Sequence, residues 1–121
     1  MIKVIVFVKR NPSFTAEEFH RHWRDVHARL VADTSSVARH ILRYEQNPRS
    51  QEDYERGEDG FDGVAIAWYR NREAMEALFS EPQYLERIRP DEERLSDPSR
   101  NLWIVCDEER VVIGPDRNGT A

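Results

Sequence analysis

Hydrophobic positions along the chain fall into short runs of two kinds. Ile2 to Val8 reads Ile-Lys-Val-Ile-Val-Phe-Val, a β-branched and aromatic run that predicts a strand. Asn11-Pro12-Ser13 ends it. Thr15 then stands three residues before Glu18, the spacing of a capping box, with Phe14 and Phe19 at the two positions of a hydrophobic staple. Phe19, Trp23, Val26, His27 and Leu30 follow at helical spacing, so the helix is expected to reach about Ala32. Ala38 to Asn47 reads as a second strand, with His40, Leu42 and Tyr44 on one face and Ile41 and Arg43 on the other. The charged stretch from Pro48 to Gly60 reads as a mobile loop. Asp62 to Tyr69 alternates Val64, Ile66 and Trp68 against Ala65, Ala67 and Tyr69, a third strand. Asn71 is placed to cap a helix carrying Met75, Leu78 and Phe79. Ser80-Glu81-Pro82-Gln83 resembles another capping box, opening a short helix with Tyr84, Leu85 and Ile88 that closes near Pro90. Leu102 to Cys106 and Val111 to Ile113 are expected to form the last strand. The domain then spans residues 1–113, and 114–121 reads as a flexible C-terminal tail.

The order β-α-β-β-α-(α)-β predicts an α+β fold: a ferredoxin-like βαββαβ subunit, a four-stranded antiparallel sheet with its helices on one face. Such a sheet, if its other face met water, would alternate apolar and polar residues. Here both faces are apolar: Val4, Val6 and Val8 oppose Ile5 and Phe7, and Leu102, Ile104 and Cys106 oppose Trp103 and Val105. An uncovered apolar face of that size is rare on a monomer. A second copy, sheet against sheet in a two-fold homodimer, is the simplest cover.

Composition narrows the partners. The chain has 121 residues, enough for one domain that buries about two thirds of its unfolded surface. Its 23 acidic and 18 basic residues give a net charge of −5, against nucleic acid as the main partner and against an anionic membrane surface. The one cysteine, Cys106, permits no intrachain disulfide, and its acidic neighbours Asp107 to Glu109 disfavour a thiolate nucleophile. No secretory pattern opens the chain, and Val4 to Val8 is too short to span a bilayer, so a cytoplasmic location is expected. Asn118-Gly119-Thr120 fits a glycosylation sequon, which has no meaning without export.

Three of the four histidines lie in the first helix. Their spacing argues against a metal: His20 and His22 point ~200° apart, and His20 and His27 stand roughly 10 Å apart along the axis. His22 and His27, five apart, diverge. His27 differs from the other two because it lies at the edge of the apolar stripe, beside Trp23 and one turn before Leu30. Two roles suit it there. One is a core histidine bonded to a backbone carbonyl, Tyr44 or Asp62; the other is a general acid/base in a pocket between helix and sheet. Asp62 also fits ordinary turn chemistry, and Trp23, Trp68 and Trp103 fit either core or a pocket for a flat apolar ligand. No phosphate loop, nucleophile elbow or dinucleotide fingerprint is present in the sequence.

The segments resemble the EthD family of the dimeric α+β barrel superfamily. The carrying residues are Glu18-Phe19 with His22-Trp23-Arg24-Asp25-Val26-His27 and Leu30-Val31; Arg43-Tyr44-Glu45-Gln46-Asn47; Phe61-Asp62-Gly63-Val64-Ala65 with Trp68; and Glu73-Ala74-Met75 with Pro82-Gln83-Tyr84 and Asp91-Glu92-Glu93-Arg94-Leu95. The resemblance implies a homodimer whose sheets form a barrel. It also implies pockets between helices and sheet, where relatives isomerise lactones, cyclise or dehydrate polyketides, or oxygenate aromatic polyketides without a cofactor. The pocket histidine of the lactone methylisomerases corresponds to His27.

The resulting expectation is a small cofactor-free enzyme acting by proton transfer on an aromatic, polyketide or lactone-like metabolite, as an isomerase, cyclase or dehydratase. His27 would be acid/base, with Tyr44 and Asp62 orienting it or the substrate. Trp23, Leu30, His40, Trp68, Phe79 and Leu85 would line the small-molecule site. The alternative is a non-catalytic dimeric binding or accessory protein of an oxidative degradation pathway, in which His27 is structural. An open pocket of several hundred Å³ reaching His27 would favour the enzyme; a packed one would favour the module. Haem has no support, because no histidine sits in a recognisable axial context.

Overall fold

The computed structural model describes residues 1–57 and 59–115, so the sequon and most of the expected tail, residues 116–121, lie outside the described residues. Four strands, β1 (Ile2–Val8), β2 (Arg43–Pro48), β3 (Gly63–Tyr69) and β4 (Leu102–Cys106), form one sheet in the order β2-β3-β1-β4. All pairings are antiparallel. The register sets Val4 opposite both Ala67 and Val105, and Val6 opposite Ala65 and Trp103, while Tyr44 faces Ala67. These residues share the face beneath the helices, because side chains directly opposite one another in a ladder lie on one face. Ile5, Phe7, Val64, Ile66, Leu102 and Ile104 share the other. No helix of the described residues covers that second face, and Leu102 and Ile104 there remain 60% and 53% exposed. The two-faced apolar pattern is therefore physical.

The first helical segment, α1 (Ala16–His22), starts as its sequence requires: Thr15 Oγ1 accepts from Glu18 N at 3.1 Å, and Glu18 Oε1 accepts from Thr15 N at 2.8 Å. Phe14 packs with Phe19 in a cluster that also holds Val8, Trp23 and Leu95. A π-helical turn over Trp23–His27 then leads into α2 (Ala28–Asp33), with Ala28 N–H donating to Trp23 O. After Thr34 a short helix, α3 (Ser35–Ala38), occupies the place where strand two was expected to begin. Thr34 O accepts from both Val37 N and Ala38 N at 2.9 Å, which buries Val37 in the core and delays pairing until Leu42 N donates to Trp68 O. His40 and Leu42 consequently lie outside the strand.

The expected loop over 48–60 contains α4 (Gln51–Glu55), because Ser50 caps it by accepting from Asp53 N. Asn71 caps α5 (Arg72–Ser80) as its sequence predicts, accepting from Ala74 N. The expected capping box at Ser80–Gln83 is absent: Ser80 Oγ donates back to Glu76 O, and Gln83 Oε1 accepts from Ser36. Nor does Pro90 end the next helix. A second π-helical turn, Tyr84–Ile88, closes with Arg89 N–H donating to Tyr84 O, and α6 (Arg89–Leu95) carries Pro90 in its own first turn. Residues 111–113 extend no strand; Val112 and Ile113 are exposed.

Candidate functional site

Between the helices and the sheet lies a cavity of about 630 Å³. The sheet supplies its floor through Val4, Val6, Ala65 and Ala67. Alanines at the two β3 positions leave space that larger strand residues would fill. Both π-helical turns open onto it, through Trp23 and His27 from the first and Tyr84 and Ile88 from the second. Gly63 makes room for Trp23 in the cavity wall: a Cβ there would stand 2.6 Å from Trp23 Cζ3.

His27 is 4% exposed and lines this cavity. Its Nδ1 lies 2.8 Å from Asp91 Oδ2. His22 Nε2 lies 2.7 Å from the other oxygen, Oδ1, and Arg94 Nη1 donates to that same oxygen at 3.0 Å. The π-turn is what allows both histidines to meet one carboxylate. In a regular α-helix residues five apart diverge by ~140°. An i→i+5 turn sets residues five apart nearly above one another. The sequence expectation that His22 and His27 diverge assumes α-helical geometry and is corrected here.

Burial works to raise the Asp91 carboxyl, but hydrogen bonds from His27 and His22, with their charges, outweigh it and hold its pKa below the ordinary value. Asp91 is thus an acceptor, so His27 Nδ1 donates. A neutral His27 then keeps its lone pair on Nε2, which has no hydrogen-bond partner among the described residues. Asp91 does not line the cavity whereas His27 does, so the free nitrogen is the one presented to it. This is the arrangement of an oriented general base.

Glu92 follows Asp91 and turns into the cavity. Tyr84 Oη donates to its Oε1 at 2.6 Å. Burial raises the Glu92 pKa most; the Tyr84 bond and the charges of His27 and Arg89 oppose this, Asp91 reinforces it, and the net direction is upward. Burial pushes Tyr44 up to about 12, and raises Tyr69 and Tyr84 as well. Around neutral pH all three cavity tyrosines are uncharged hydroxyls.

The structure brings His27, Tyr44, Trp23 and Phe79 to the cavity and leaves the other sequence candidates elsewhere. Asp62, expected beside His27, is buried in a separate cluster. It accepts from Arg10 N at 2.9 Å, Arg10 Nη1 at 2.8 Å and Tyr54 Oη at 2.6 Å. Burial works to raise Asp62, yet these bonds and the charges of Arg10 and Lys9 hold it low, the signature of a structural carboxylate. His40 turns outward to Glu81 at 2.8 Å. Trp68 belongs to the opposite sheet face, where Lys3 and Arg43 lie 5.8 and 5.6 Å from its ring centre. Leu85 is 44% exposed, and Leu30 packs on the core behind the cavity wall. Asp91, Glu92, Tyr69 and Tyr84 are the residues that sequence reasoning did not place in the site. The pattern Tyr84, Ile88, Glu92, Leu95 keeps helical spacing through Pro90, and was the available signal.

Among the described residues, no group of three or more His, Cys, Asp or Glu is arranged to hold a metal ion, and no helix is long and apolar enough to cross a membrane. No curated protein matches the sequence. Solved structures match the fold. A protein of the ethyl tert-butyl ether D (EthD) family from Bacillus halodurans is 14% identical with a TM-score of 0.65, over 90% of this chain and 99% of that one. A dimeric protein of unknown function and ferredoxin-like fold from Bacteroides fragilis is 10% identical with a TM-score of 0.63, over 86% and 92%. HapK from Hahella chejuensis is 15% identical with a TM-score of 0.61, over 94% and 96%. The EthD domain model matches residues 11–99, which hold most of the chain and every helix and strand except β1 and β4. With the ferredoxin-like sheet and the helices on one of its faces, that match shows that this chain belongs to the EthD family.

Proposed function

We propose that this protein is a cofactor-free enzyme that moves a proton on an aromatic, polyketide or lactone-like metabolite, with His27 as the base. The observation that carries the reading is the Asp91–His27 pair set against an open apolar cavity. A buried carboxylate that fixes one imidazole nitrogen prepares the other to take a proton. A cavity of this volume suits one small ring system, and Trp23 and Phe79 give it aromatic walls. The cavity reaches His27 rather than being filled, which favours the enzyme over an accessory module.

The test needs no knowledge of the natural substrate. 2-Tetralone is a flat bicyclic ketone with acidic hydrogens beside its carbonyl, and their exchange in D₂O is read by proton NMR. The protein should accelerate this exchange over buffer, and His27→Gln should lower the acceleration by about 10²-fold or more. Acceleration that survives in a folded His27→Gln variant removes His27 from the mechanism.

The active species is a homodimer in this proposal, closed through the sheet face that carries Leu102 and Ile104. Support comes from their exposure and from the Bacteroides fragilis neighbour, itself dimeric. Burying ~800 Å² of largely apolar surface per subunit gives a large gross driving force at about 25 cal/mol per Å², before association costs.

A further inference from the structure

One half-buried acid of the cavity has no part in the work of the base. Glu92 lies in the same cavity as His27, one residue beyond the aspartate that orients it. Tyr84 fixes its Oε1 at 2.6 Å, and no described residue donates to or accepts from Oε2. The groups facing Glu92 are Tyr84 from its own helical arm, Arg89 and Asp91 from its own helix, His27 from the first helix, and Tyr44 and Tyr69 from the sheet. Arg89, the basic side chain beside it, is 60% exposed and lies 3.9 Å from Glu93, so it stands at the rim. The interior therefore offers an anion no buried cation to pair with.

We propose that Glu92, in its neutral acid form, donates a proton to the carbonyl oxygen of an uncharged ring ketone while His27 takes a proton from the adjacent carbon. The inference rests on the proton-transfer reading above and names its acid and its substrate charge. In the step the C–H bond breaks and its proton passes to His27 Nε2. The C–H electron pair forms the new C=C bond, and the carbonyl π pair takes the proton from Glu92 Oε2. The product is an enol, with His27 cationic and Glu92 anionic. Return of the His27 proton to another carbon, and of the enol proton to Glu92, restores both groups and moves the double bond or hydrogen. Nothing is oxidised or reduced. Enolisation of this kind is the entry step shared by isomerisation, aldol cyclisation and dehydration.

The geometry also explains why the two acids adjacent in sequence have opposite tasks. Asp91 is met by three donors and stays charged; Glu92 is met by one hydroxyl and apolar walls. Pairs of carboxyls driven apart by their surroundings mark acid and base duties in proton-transfer sites.

The experiment is 2-tetralone exchange in D₂O from about pH 5 to about pH 9, a range that spans histidine and raised-carboxyl titration. Exchange by the wild type should decline with rising pH as Glu92 loses its proton, giving the profile an alkaline fall. Glu92→Gln should be slower by about 10-fold or more and should lack that alkaline fall. Tyr84→Phe removes a bond that lowers the Glu92 pKa, so the alkaline fall should move to higher pH. 2-Naphthoate, a comparable ring system bearing a carboxylate, should bind at least ~10-fold more weakly than 2-tetralone. Circular dichroism melts confirm that each variant is folded. Wild-type rate and profile in a folded Glu92→Gln overturn the acid assignment, while loss of exchange in His27→Gln leaves the base reading standing. 2-Naphthoate binding as tight as 2-tetralone overturns the uncharged-substrate assignment. Wild-type exchange no faster than buffer overturns both readings together.

Discussion

Replacing Asp91 by asparagine separates the orienting role of this carboxylate from mere space filling. Asp91 is 1% exposed and accepts from His27, His22 and Arg94. The Arg94 side chain is 63% exposed, so its bond adds little once solvent screening is counted. The two histidine bonds to a charged acceptor are worth about 1.5–3 kcal/mol each, and asparagine keeps one acceptor oxygen, so the net loss is about 2–3 kcal/mol. For a domain of this size that lowers the melting temperature by roughly 10 °C. The sign of the pH dependence follows from the depressed Asp91 pKa. Its contribution is fully present above the ordinary carboxylate value of 3.8 and is lost as pH falls through the folded value. The gap in stability between wild type and Asp91→Asn should therefore be full at neutral pH and close in acid. Activity should fall further than stability. An amide hydrogen aimed at His27 Nδ1 favours the tautomer with hydrogen on Nε2, which cannot accept a proton. Loss of the correct tautomer in an Asp–His pair costs about 10⁴-fold in the serine-protease case, and a loss of 10²-fold or more in 2-tetralone exchange is expected here. Melts across pH and NMR exchange on the same samples check both effects. A variant that melts with wild type at neutral pH and exchanges at the wild-type rate refutes the oriented-base reading.

Two further substitutions probe the frame around the site. Gly63→Ala places a methyl 2.6 Å from Trp23 Cζ3 and 2.8 Å from Cη2, so the indole or β3 must shift; a loss of about 1–3 kcal/mol in denaturant unfolding is expected, together with altered tryptophan fluorescence. Ile104→Asp sets a charge on the exposed sheet face, where Ile104 pairs across from Ile5, and sedimentation should show a folded single subunit where wild type sediments as two. A wild-type single subunit at micromolar concentration refutes the dimer.

Much of the frame is legible in the sequence because it depends on neighbours. The Thr15–Glu18 box, the Asn71 cap and the alternation of β1 and β3 are set within a few residues, and the structure reproduces them. The two-faced sheet is legible for the same reason, since alternation is a property of each strand alone. The partners of the polar residues are not local. His27 meets Asp91 across 64 residues and Asp62 meets Arg10 across 52, and no short-range signal distinguishes those pairings from the reverse. Strict alternation sets His40 on the face of Tyr44, and the helical turn at Ser35–Ala38 interrupts it. An aromatic ring suits the wall of a pocket for a flat apolar ligand, yet the register of Trp68 puts it on the other face with Arg43.

The two π-helical turns account for what helical spacing misreads. Each inserts one residue relative to an α-helical turn, so everything after it rotates against everything before it. In the first turn this turns Val26 outward, leaving it 43% exposed although its spacing predicts core. Exposing a valine has no stabilising value of its own. What the rotation achieves is to hold Trp23 and His27 on the cavity side while His22, five residues from His27, reaches the same carboxylate. The second turn does the same for the facing arm. It keeps Tyr84 and Ile88 on the cavity, and beyond it Asp91 and Glu92 emerge on the side of His27. The proposed base His27, its carboxylate partner Asp91 and the proposed acid Glu92 thus all depend on the same local irregularity, used twice on opposing arms. A chain with identical hydrophobic content and regular helices would keep the sheet and the core, and would lose the alignment on which the proposed chemistry rests.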